Sequence, residues 1–438
     1  MARVDGESWR LPGSPNSRRA ANYGTAARVA ARYGAGRLPA SVRPGLDWAH
    51  EAGARDIYRT AVKLRAGFLK FGQFVSARPD LLPQPYIREL SKLQDRVPPA
   101  PMAAVRRVVE RELGPTGEIF RHFDPAASAA SLAQVHRAEL RDGRTVAVKV
   151  QYPGVAEIVP RETADTRRLL GLLDRVVKGF DLSTIARELE RVILSELDYA
   201  NEADNIERFG ANFAGEEGIE VPAVHRHLSG PRVLVMDWVE GRNLGHALRD
   251  SDRETCEEAV RLLVDAFLKQ ILVDGFVHAD PHPGNFLLQP GPGLGIVDFG
   301  ACVALSDPTR LALCELYAAG VEGDINRSVG ALDALGFKTR SGDLSSLVAW
   351  ASLFDSGATE DDREQAWARL MSAARADPLV SLPEELIMVG RVVMVQTGMV
   401  AKLKPSWSMP DLIANRLAQA TGTNSGGTIQ AGVPPVTR

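Results

Sequence analysis

The residues with the clearest chemical potential lie between Phe276 and Gly300, in the stretch FVHADPHPGNFLLQPGPGLGIVDFG. Asp280 and Asn285 stand five positions apart, and Asp298 follows Asp280 after 18 positions. Phosphoryl transfer needs such groups: a carboxylate beside the attacking hydroxyl, and an amide oxygen with a second carboxylate to hold Mg²⁺ against the phosphates. The spacing therefore predicts a phosphoryl-transfer site in this stretch.

A hairpin is predicted to bring these side chains together. His278 and Asp280 precede a short apolar strand, a Pro/Gly turn and a second strand that ends in DFG at 298–300. H-x-D-x-x-x-x-N followed by D-F-G is the pattern of a protein-kinase catalytic loop. A plain hairpin with incidental polar residues is the alternative. His278 and His282 could also suggest a metal site, but kinase-loop histidines usually hold the loop by hydrogen bonds.

A strand with a lysine is the second candidate element. Asp142 and Gly143 predict a hairpin turn, after which VAVKV at 146–150 alternates valines with Ala147 and Lys149. The lysine should therefore face away from the valines, and kinases use a lysine on such a strand to hold the α- and β-phosphates. A buried strand with a lysine at its edge is the alternative.

Small residues occupy the place where a kinase has its glycine-rich loop. Four positions form this stretch: Ser128, Ala129, Ala130 and Ser131. Small side chains let the backbone approach phosphates, but alanine lacks the freedom of glycine to adopt positive φ. A stiffer nucleotide-binding loop is therefore expected.

Three acidic residues are candidates for pairing with Lys149. They lie on a long helix predicted over 182–209: Glu196, Asp198 and Glu202. In that helix Asp198 and Glu202 would be four residues apart on one face. One of the three is expected to pair with the lysine, as a helix glutamate does in kinases. A solvated acidic face is the alternative.

Two strands are predicted to follow, over 220–228 and 231–241. The second ends where a kinase hinge links its lobes and meets the adenine. Asp237 and Val239 are therefore the candidates for nucleotide contact there. A helix is predicted over 254–274, before the catalytic loop, and only helices are predicted beyond Asp307.

An N-terminal helix predicted over 48–76 carries the sequence KFGQ, with Lys70, Gly72 and Gln73. Glycine inside a helix costs about 1 kcal/mol relative to alanine. Its presence suggests a close approach of another group to the backbone. The residues alone assign no chemistry to this segment.

Length, charge and cysteine usage limit the classes of protein. A chain of 438 residues is long enough for two or three domains, and a net charge of −3 offers no case for nucleic-acid binding. The three cysteines lack the spacing of a disulfide framework or a zinc site, which indicates a reducing compartment. No uninterrupted apolar run reaches about 18 residues, and no signal-peptide core is present. A cytoplasmic protein without a transmembrane helix, or one held peripherally at a membrane surface, is expected.

Composition and pattern predict five segments. They are a basic flexible tail (1–45), a helical N-terminal extension (46–115), an N-lobe (116–240), a helical C-lobe (241–420) and a disordered tail (421–438). Seven arginines lie in the first 40 residues against two acidic residues, a net charge of +5. A solvated tail, with a short helix around 18–33, is the favoured interpretation. The other interpretation is that this segment docks to an anionic lipid surface or to a partner.

Taken in order, several motifs resemble the UbiB-type (AarF-domain) family of atypical, protein-kinase-like proteins. They are KFGQ, SAAS with QVH, VAVK, ELDYANE, HADPHPGN and DFG, and the resemblance covers roughly residues 50–410. It implies an α+β, two-lobed protein-kinase-like fold with a helical N-terminal extension and an all-helical C-lobe. It also implies binding of ATP or ADP with Mg²⁺, and ATPase activity linked to lipids or isoprenoid-quinone precursors.

The resemblance also implies roles for residues of the catalytic machinery. Asp280 would be the catalytic aspartate, and Asn285 and Asp298 would be Mg²⁺ ligands. Glu202 would be the partner of Lys149. The alanine-rich loop would replace the glycine loop and alter nucleotide preference.

A second set of implied roles is regulatory. Lys70 would lie on an extension that folds over the active site and restrains protein phosphorylation. Glu196 and Asp198 would belong to the same family-specific feature. Many relatives end in membrane helices, which this sequence does not show.

Three hypotheses about function follow. Intact Asp280 and Asp298 favour an ATP- and Mg²⁺-dependent atypical kinase or ATPase. A catalytically silent pseudokinase that binds nucleotide and switches a partner protein is the second. A small-molecule phosphotransferase is the third, although it does not account for KFGQ. The phosphoryl acceptor, the lipid or protein partner and the oligomeric state are not determined by these residues.

Overall fold

Two compact units make up the chain. A computed structural model describes residues 14–35, 45–64, 84–90, 92, 100–129, 132–173, 182–291, 293–352, 372–373, 376–377, 379–381 and 383–422. The first unit comprises 1–208 and 222–238, and the second comprises 209–221 and 239–438.

The strands of the described residues are short except in the first unit. In chain order they are β1 (Phe120–Ala129), β2 (Ala133–Leu140), β3 (Thr145–Gln151), β4 (Ile219–Glu220), β5 (Val233–Asp237), β6 (Arg242–Asn243), β7 (Phe276–His278), β8 (Phe286–Leu288), β9 (Leu294–Ile296), β10 (Cys302–Ala304), β11 (Lys338–Thr339) and β12 (Leu379–Ser381). An antiparallel sheet of order β1-β2-β3-β5 lies in the first unit. The second unit contains a sheet of order β4-β9-β8-β6 and the pairs β10-β7 and β11-β12.

Helices account for most of the remaining described residues. They are α1 (Pro15–Ala35), α2 (Gly45–Leu64), α3 (Gln84–Leu90), α4 (Met102–Leu113), α5 (Thr116–Ile119), α6 (Val155–Leu173), α7 (Leu182–Ser195), α8 (Tyr199–Asn212), α9 (Leu244–Asp250), α10 (Arg253–Leu268), α11 (Asp307–Glu322), α12 (Ile325–Ala334), α13 (Val348–Ala351), α14 (Glu384–Leu403) and α15 (Met409–Thr421). Short 3₁₀ turns span Arg226–Leu228, Pro283–Asn285 and Leu344–Leu347, and a π-helical turn spans Lys269–Asp274.

The sheet of the first unit is built around β3. Gly143 adopts φ +90°, which completes the predicted turn between β2 and β3. Val146, Val148 and Val150 are fully buried, and their cluster includes Val105 and Val109 of α4. Burial of several such side chains, at about 1.5–3 kcal/mol each, stabilises the strand that carries Lys149.

The N-terminal helices of the first unit pack through polar contacts. Arg18 of α1 is 1% exposed and forms an ion pair with Glu162 of α6. Thr25 of α1 and Thr60 of α2 share a hydrogen bond of 2.7 Å. The prediction of a solvated tail is therefore wrong for 15–35, because this helix buries an arginine against its acidic partner. Residues 423–438 of the predicted C-terminal tail lie outside the described part of the chain.

The second unit is organised around α10, whose N-cap residue is Asp252. The Asp252 carboxylate accepts a hydrogen bond of 2.8 Å from the Thr255 backbone N–H. Ala259, Leu263 and Phe267 are buried along the helix. The π-helical turn follows directly, so the helix predicted over 254–274 changes its hydrogen-bond pattern before the catalytic loop.

Two secondary-structure predictions are wrong in their details. Residues 220–228 do not form a continuous strand, since β4 ends at Glu220, Pro222 has no N–H to donate, and a 3₁₀ turn begins at Arg226. The C-lobe predicted over 241–420 is not all-helical, because β6–β12 lie in it and two of these strands follow Asp307. Of the helix predicted over 48–76, the structure describes the part that ends at Leu64.

One helix of the described residues is long and apolar enough to cross a bilayer, judged by length and composition alone. It is Glu385–Leu403, within α14. The sequence shows no uninterrupted apolar run here because Arg391 and Gln396 interrupt it. Arg391 makes an ion pair with Asp280 within the second unit.

Candidate functional site

In the first unit, Lys149 forms an ion pair with Glu202. Lys149 lies on β3 between Val135 of β2 and Leu234 of β5 in the sheet register. Its Nζ donates to Glu202 Oε1 over 2.6 Å, and both residues are buried. A buried ion pair of this kind holds both side chains firmly, because separating them would leave a charge without compensation. The pairing is the one that the family resemblance implied.

The helix that carries Glu202 starts later than predicted. The long helix expected over 182–209 is broken between Ser195 and Tyr199, and Asp198 caps the second part by accepting from the Asn201 N–H over 3.0 Å. The prediction that Asp198 shares a helical face with Glu202 is therefore wrong. Capping by Asp198 places Glu202 in the first turn of α8, next to Lys149.

Of the residues predicted to be regulatory, the structure describes some and not others. Glu196 lies in the turn that precedes Asp198 and is half-buried. Lys70, Gly72 and Gln73 lie outside the described residues, so their proposed restraint of the site stays a prediction.

The structure describes the first two residues of the small-residue loop. Ser128 and Ala129 lie at the end of β1, paired with Val135 and Gln134 of β2. Ser128 is exposed. Ala130 and Ser131 lie outside the described residues, and contact of this loop with nucleotide stays a prediction.

Asp237 ends β5, where its backbone pairs with Val146. Its carboxylate Oδ1 lies 2.8 Å from His225 Nε2, so the side chain is held locally within the first unit. In the second unit, Val239 is buried and covers Gly295 so closely that a Cβ on that glycine would lie 2.3 Å from Val239 Cγ1. Contact of Asp237 and Val239 with nucleotide stays a prediction.

The QVH motif has a structural role that the sequence did not reveal. Gln134 and His136 are fully buried, and Gln134 Oε1 accepts from the Ala100 backbone N–H over 2.7 Å. His136 Nδ1 lies 2.9 Å from Asp124 O, and its Nε2 lies 2.7 Å from Gln134 Nε2. With Nδ1 donating and Nε2 accepting, the neutral imidazole satisfies both contacts.

Stability at mildly acidic pH is expected to depend on His136. Burial lowers its pKa from the usual 6.5, against the smaller opposing effect of Asp124. Below pH 6.5 the unfolded chain therefore binds a proton that the folded chain does not, and stability falls by up to about 1.4 kcal/mol per pH unit. Melting temperatures from pH 7.5 to 5 should fall less steeply in His136→Gln than in wild type. His122→Gln, at an exposed position on β1, should keep the wild-type slope, and equal slopes in all three proteins would contradict the prediction.

In the second unit, His278 holds the catalytic loop. It is fully buried, and burial lowers its pKa. Its Nε2 donates to Asp298 O over 2.6 Å, and its Nδ1 accepts from the Asp280 N–H over 3.3 Å. Gln270, in the π-helical turn, accepts from the His278 backbone N–H over 2.9 Å. One imidazole therefore links the two loop segments that carry the acidic residues.

Asp280 has a partner at each carboxylate oxygen. Asn285 Nδ2 donates to Oδ2 over 3.0 Å and to the Asp280 backbone O over 3.1 Å. Arg391 of α14 donates to Oδ1 over 2.7 Å. Arg391 was missed from the sequence, since no spacing rule connects α14 with the loop.

Asp298 lies beside Asn285 at the end of the β8–β9 hairpin. The Val297 N–H donates to Asn285 O over 2.8 Å. Asp298 itself adopts φ +68°, a conformation that costs a residue with a side chain about 1–3 kcal/mol. Strained backbone of this kind is common at active sites, so it is consistent with the role predicted for Asp298.

A divalent cation fits the groups available here. The described residues contain no cluster of three or more His, Cys, Asp and Glu side chains that could hold a metal by themselves. Mg²⁺, however, is usually held by one or two protein ligands together with phosphate oxygens. The Asn285 amide nitrogen donates to Asp280, so its amide oxygen and the Asp298 carboxylate are the groups that could hold such a metal. His282 accepts a hydrogen bond from the Gly284 N–H over 3.1 Å, so it acts in the loop turn.

Comparisons with known proteins agree with this arrangement. Residues 92–331 match the model of the ABC1 atypical kinase-like domain. The chloroplastic protein ACTIVITY OF BC1 COMPLEX KINASE 1 of Arabidopsis thaliana is 32% identical over 83% of this chain and 56% of its own length. An uncharacterised protein from the hydrogenase 1 5′ region of Clostridium pasteurianum is 30% identical over 88% of this chain and 74% of its own. This chain spans about half the length of several other curated relatives.

A solved structure is also similar. Rv3197 of Mycobacterium tuberculosis, determined in complex with erythromycin, superposes with a TM-score of 0.60 at 26% identity, over 84% of this chain and 96% of its own.

The lysine–glutamate pair and the catalytic hairpin define the class of kinase-like folds, with mixed helices and sheets. Within that class, the chain belongs to the ABC1 atypical kinase-like family, and the family resemblance found from its motifs is confirmed.

Proposed function

We propose that this protein binds ATP or ADP with Mg²⁺ and catalyses phosphoryl transfer to a hydroxyl acceptor or to water. The arrangement of Asp280, Asn285 and Asp298 at one end of a hairpin is the observation that supports the proposal most. These groups match the needs of a reaction whose catalysis is mostly positioning and charge stabilisation.

Each residue would contribute a separate task. Lys149, held by Glu202, would bind the α- and β-phosphates. Asn285 and Asp298 would hold Mg²⁺, which when bound draws charge from the β- and γ-phosphates. Asp280 would orient the attacking hydroxyl and accept its proton.

Lipid or isoprenoid-quinone metabolism is the proposed setting. Its support is the family resemblance. Peripheral association with a membrane follows as part of the same proposal. A lipid-pathway protein is the alternative partner.

The test is ATP binding and turnover by the purified full chain, with Mg²⁺ or EDTA, beside Asp298→Asn. Wild type should bind nucleotide more tightly with Mg²⁺ and turn it over, whereas Asp298→Asn should lose the Mg²⁺ effect by at least about tenfold because one metal ligand is gone. Cardiolipin-containing liposomes should raise turnover if lipid is the partner. Lys70→Ala should raise it if the extension restrains the site.

A silent pseudokinase that binds nucleotide and switches a partner protein is the alternative to the enzyme. It predicts nucleotide binding without turnover in every one of these conditions, including Lys70→Ala. Such a result would overturn the enzyme proposal.

A further inference from the structure

Arg391, on α14, contacts the candidate catalytic aspartate from 111 positions away in the chain. Its Nη2 lies 2.7 Å from Asp280 Oδ1, and the two side chains are 26% and 23% exposed. This partial burial shields the pair from solvent screening more than a surface ion pair would be shielded. The geometry of a guanidinium on a carboxylate also makes the hydrogen bond directional.

Asp280 is thereby held from two directions. Asn285 occupies Oδ2, and Arg391 occupies Oδ1. Two separate contacts restrict rotation of the carboxylate about its terminal bond. Each carboxylate oxygen has a second lone-pair direction that these two contacts do not use, and the acceptor hydroxyl would donate there.

The catalytic loop does not supply a cation of its own. It reads DPHPGN from Asp280 to Asn285, with no lysine or arginine. His282 is the one other ionisable side chain in that stretch, and its Nδ1 accepts from the Gly284 N–H. Arg391 therefore brings to Asp280 a positive charge that the loop itself lacks.

We propose that Arg391 is a positioning residue for Asp280 in phosphoryl transfer, an inference that rests on the function proposed above. It orients the carboxylate toward the acceptor hydroxyl through the contact with Oδ1. It acts through Asp280, and its effect should therefore disappear when Asp280 has lost its charge.

Arg391→Gln should lower kcat for Mg²⁺-ATP turnover by about 10²-fold, since a misplaced catalytic group costs that much. The KM for ATP should change little. Arg391→Lys, which keeps the charge but not the planar fork, should recover part of kcat. Lys402→Gln removes a charge from the same helix at an exposed position and should behave as wild type.

A double-variant cycle separates positioning from a structural effect. In the Asp280→Asn background, Arg391→Gln should change kcat by less than about threefold, because coupled residues are not additive. If the two losses multiply instead, Arg391 does not act through Asp280 and the inference is overturned. Faster turnover in Arg391→Gln would also overturn it, since the arginine would then restrain the aspartate.

Crystal structures of wild type and Arg391→Gln test the inference without a measurement of turnover. If wild type has no turnover, the proposed function fails, but the position of Asp280 in Arg391→Gln can still be compared with wild type. A carboxylate that leaves its contact with Asn285 Nδ2 supports the inference. A carboxylate that stays in place overturns it.

Discussion

Replacement of Asp280 by asparagine is expected to lower kcat for ATP turnover by about 10³-fold and to leave the Kd for Mg²⁺-ATP within about threefold of wild type. Asparagine keeps the shape of the side chain, and its amide oxygen can still accept from Arg391 or Asn285. It cannot accept the proton of the attacking hydroxyl. The loss should therefore fall on the chemical step and not on nucleotide binding.

Steady-state turnover and equilibrium binding on the same preparations would measure the two quantities separately. Asp250→Asn is a suitable control because Asp250 is exposed at the end of α9. A kcat near the wild-type value in Asp280→Asn would mean that another group accepts the proton, or that the chemistry needs no base here. A parallel loss of binding would point to a disturbed loop instead.

Glu202 is the second position with a large expected effect. Glu202→Leu would leave the Lys149 ammonium buried without its counter-charge. Removing one partner of a buried pair typically costs about 3–5 kcal/mol of stability, and Tm should fall accordingly. The lysine would also lose the contact that aims it, so nucleotide affinity and turnover should both decrease.

A compensating variant distinguishes stability from function at this site. Lys149→Met combined with Glu202→Leu replaces the pair by apolar side chains, which is often neutral for stability. Tm should therefore return toward wild type, while turnover stays lost because no cation holds the phosphates. Glu207→Gln, at an exposed position on α8, should change Tm much less than Glu202→Leu. If the double variant recovers turnover, Lys149 is not the residue that binds the phosphates.

The candidate catalytic hairpin could be predicted from the sequence because its residues lie close together in the chain. Asp280, Asn285 and Asp298 lie within 19 residues, and short strands joined by a Pro/Gly turn bring them together without help from distant elements. The strand VAVKV was predictable for the same reason, since alternation and a Gly143 turn determine a hairpin. Motifs in a constant order then indicated the family, although no single motif did.

The choice among Glu196, Asp198 and Glu202 could not be made from helical periodicity. A continuous helix over 182–209 would have placed Asp198 and Glu202 on one face, but the Asp198 side chain bonds the Asn201 N–H and starts a new helix. This local hydrogen bond of an aspartate side chain competes with the backbone hydrogen bonds of a continuous helix, and the helix is interrupted here. The sequence restricted the partner of Lys149 to three acids, and the helix start at Tyr199 decided that Glu202 meets it.

By itself, the sequence determined the family, the kinase-like class of fold and the set of polar groups at the hairpin. Only the tertiary structure decided that Arg391 meets Asp280, that Gln134 binds the Ala100 backbone and that Asp298 adopts positive φ. The physical reason is the range of the contacts. Spacing rules act over a few residues through backbone geometry, whereas a contact between residues 111 positions apart depends on how whole helices pack.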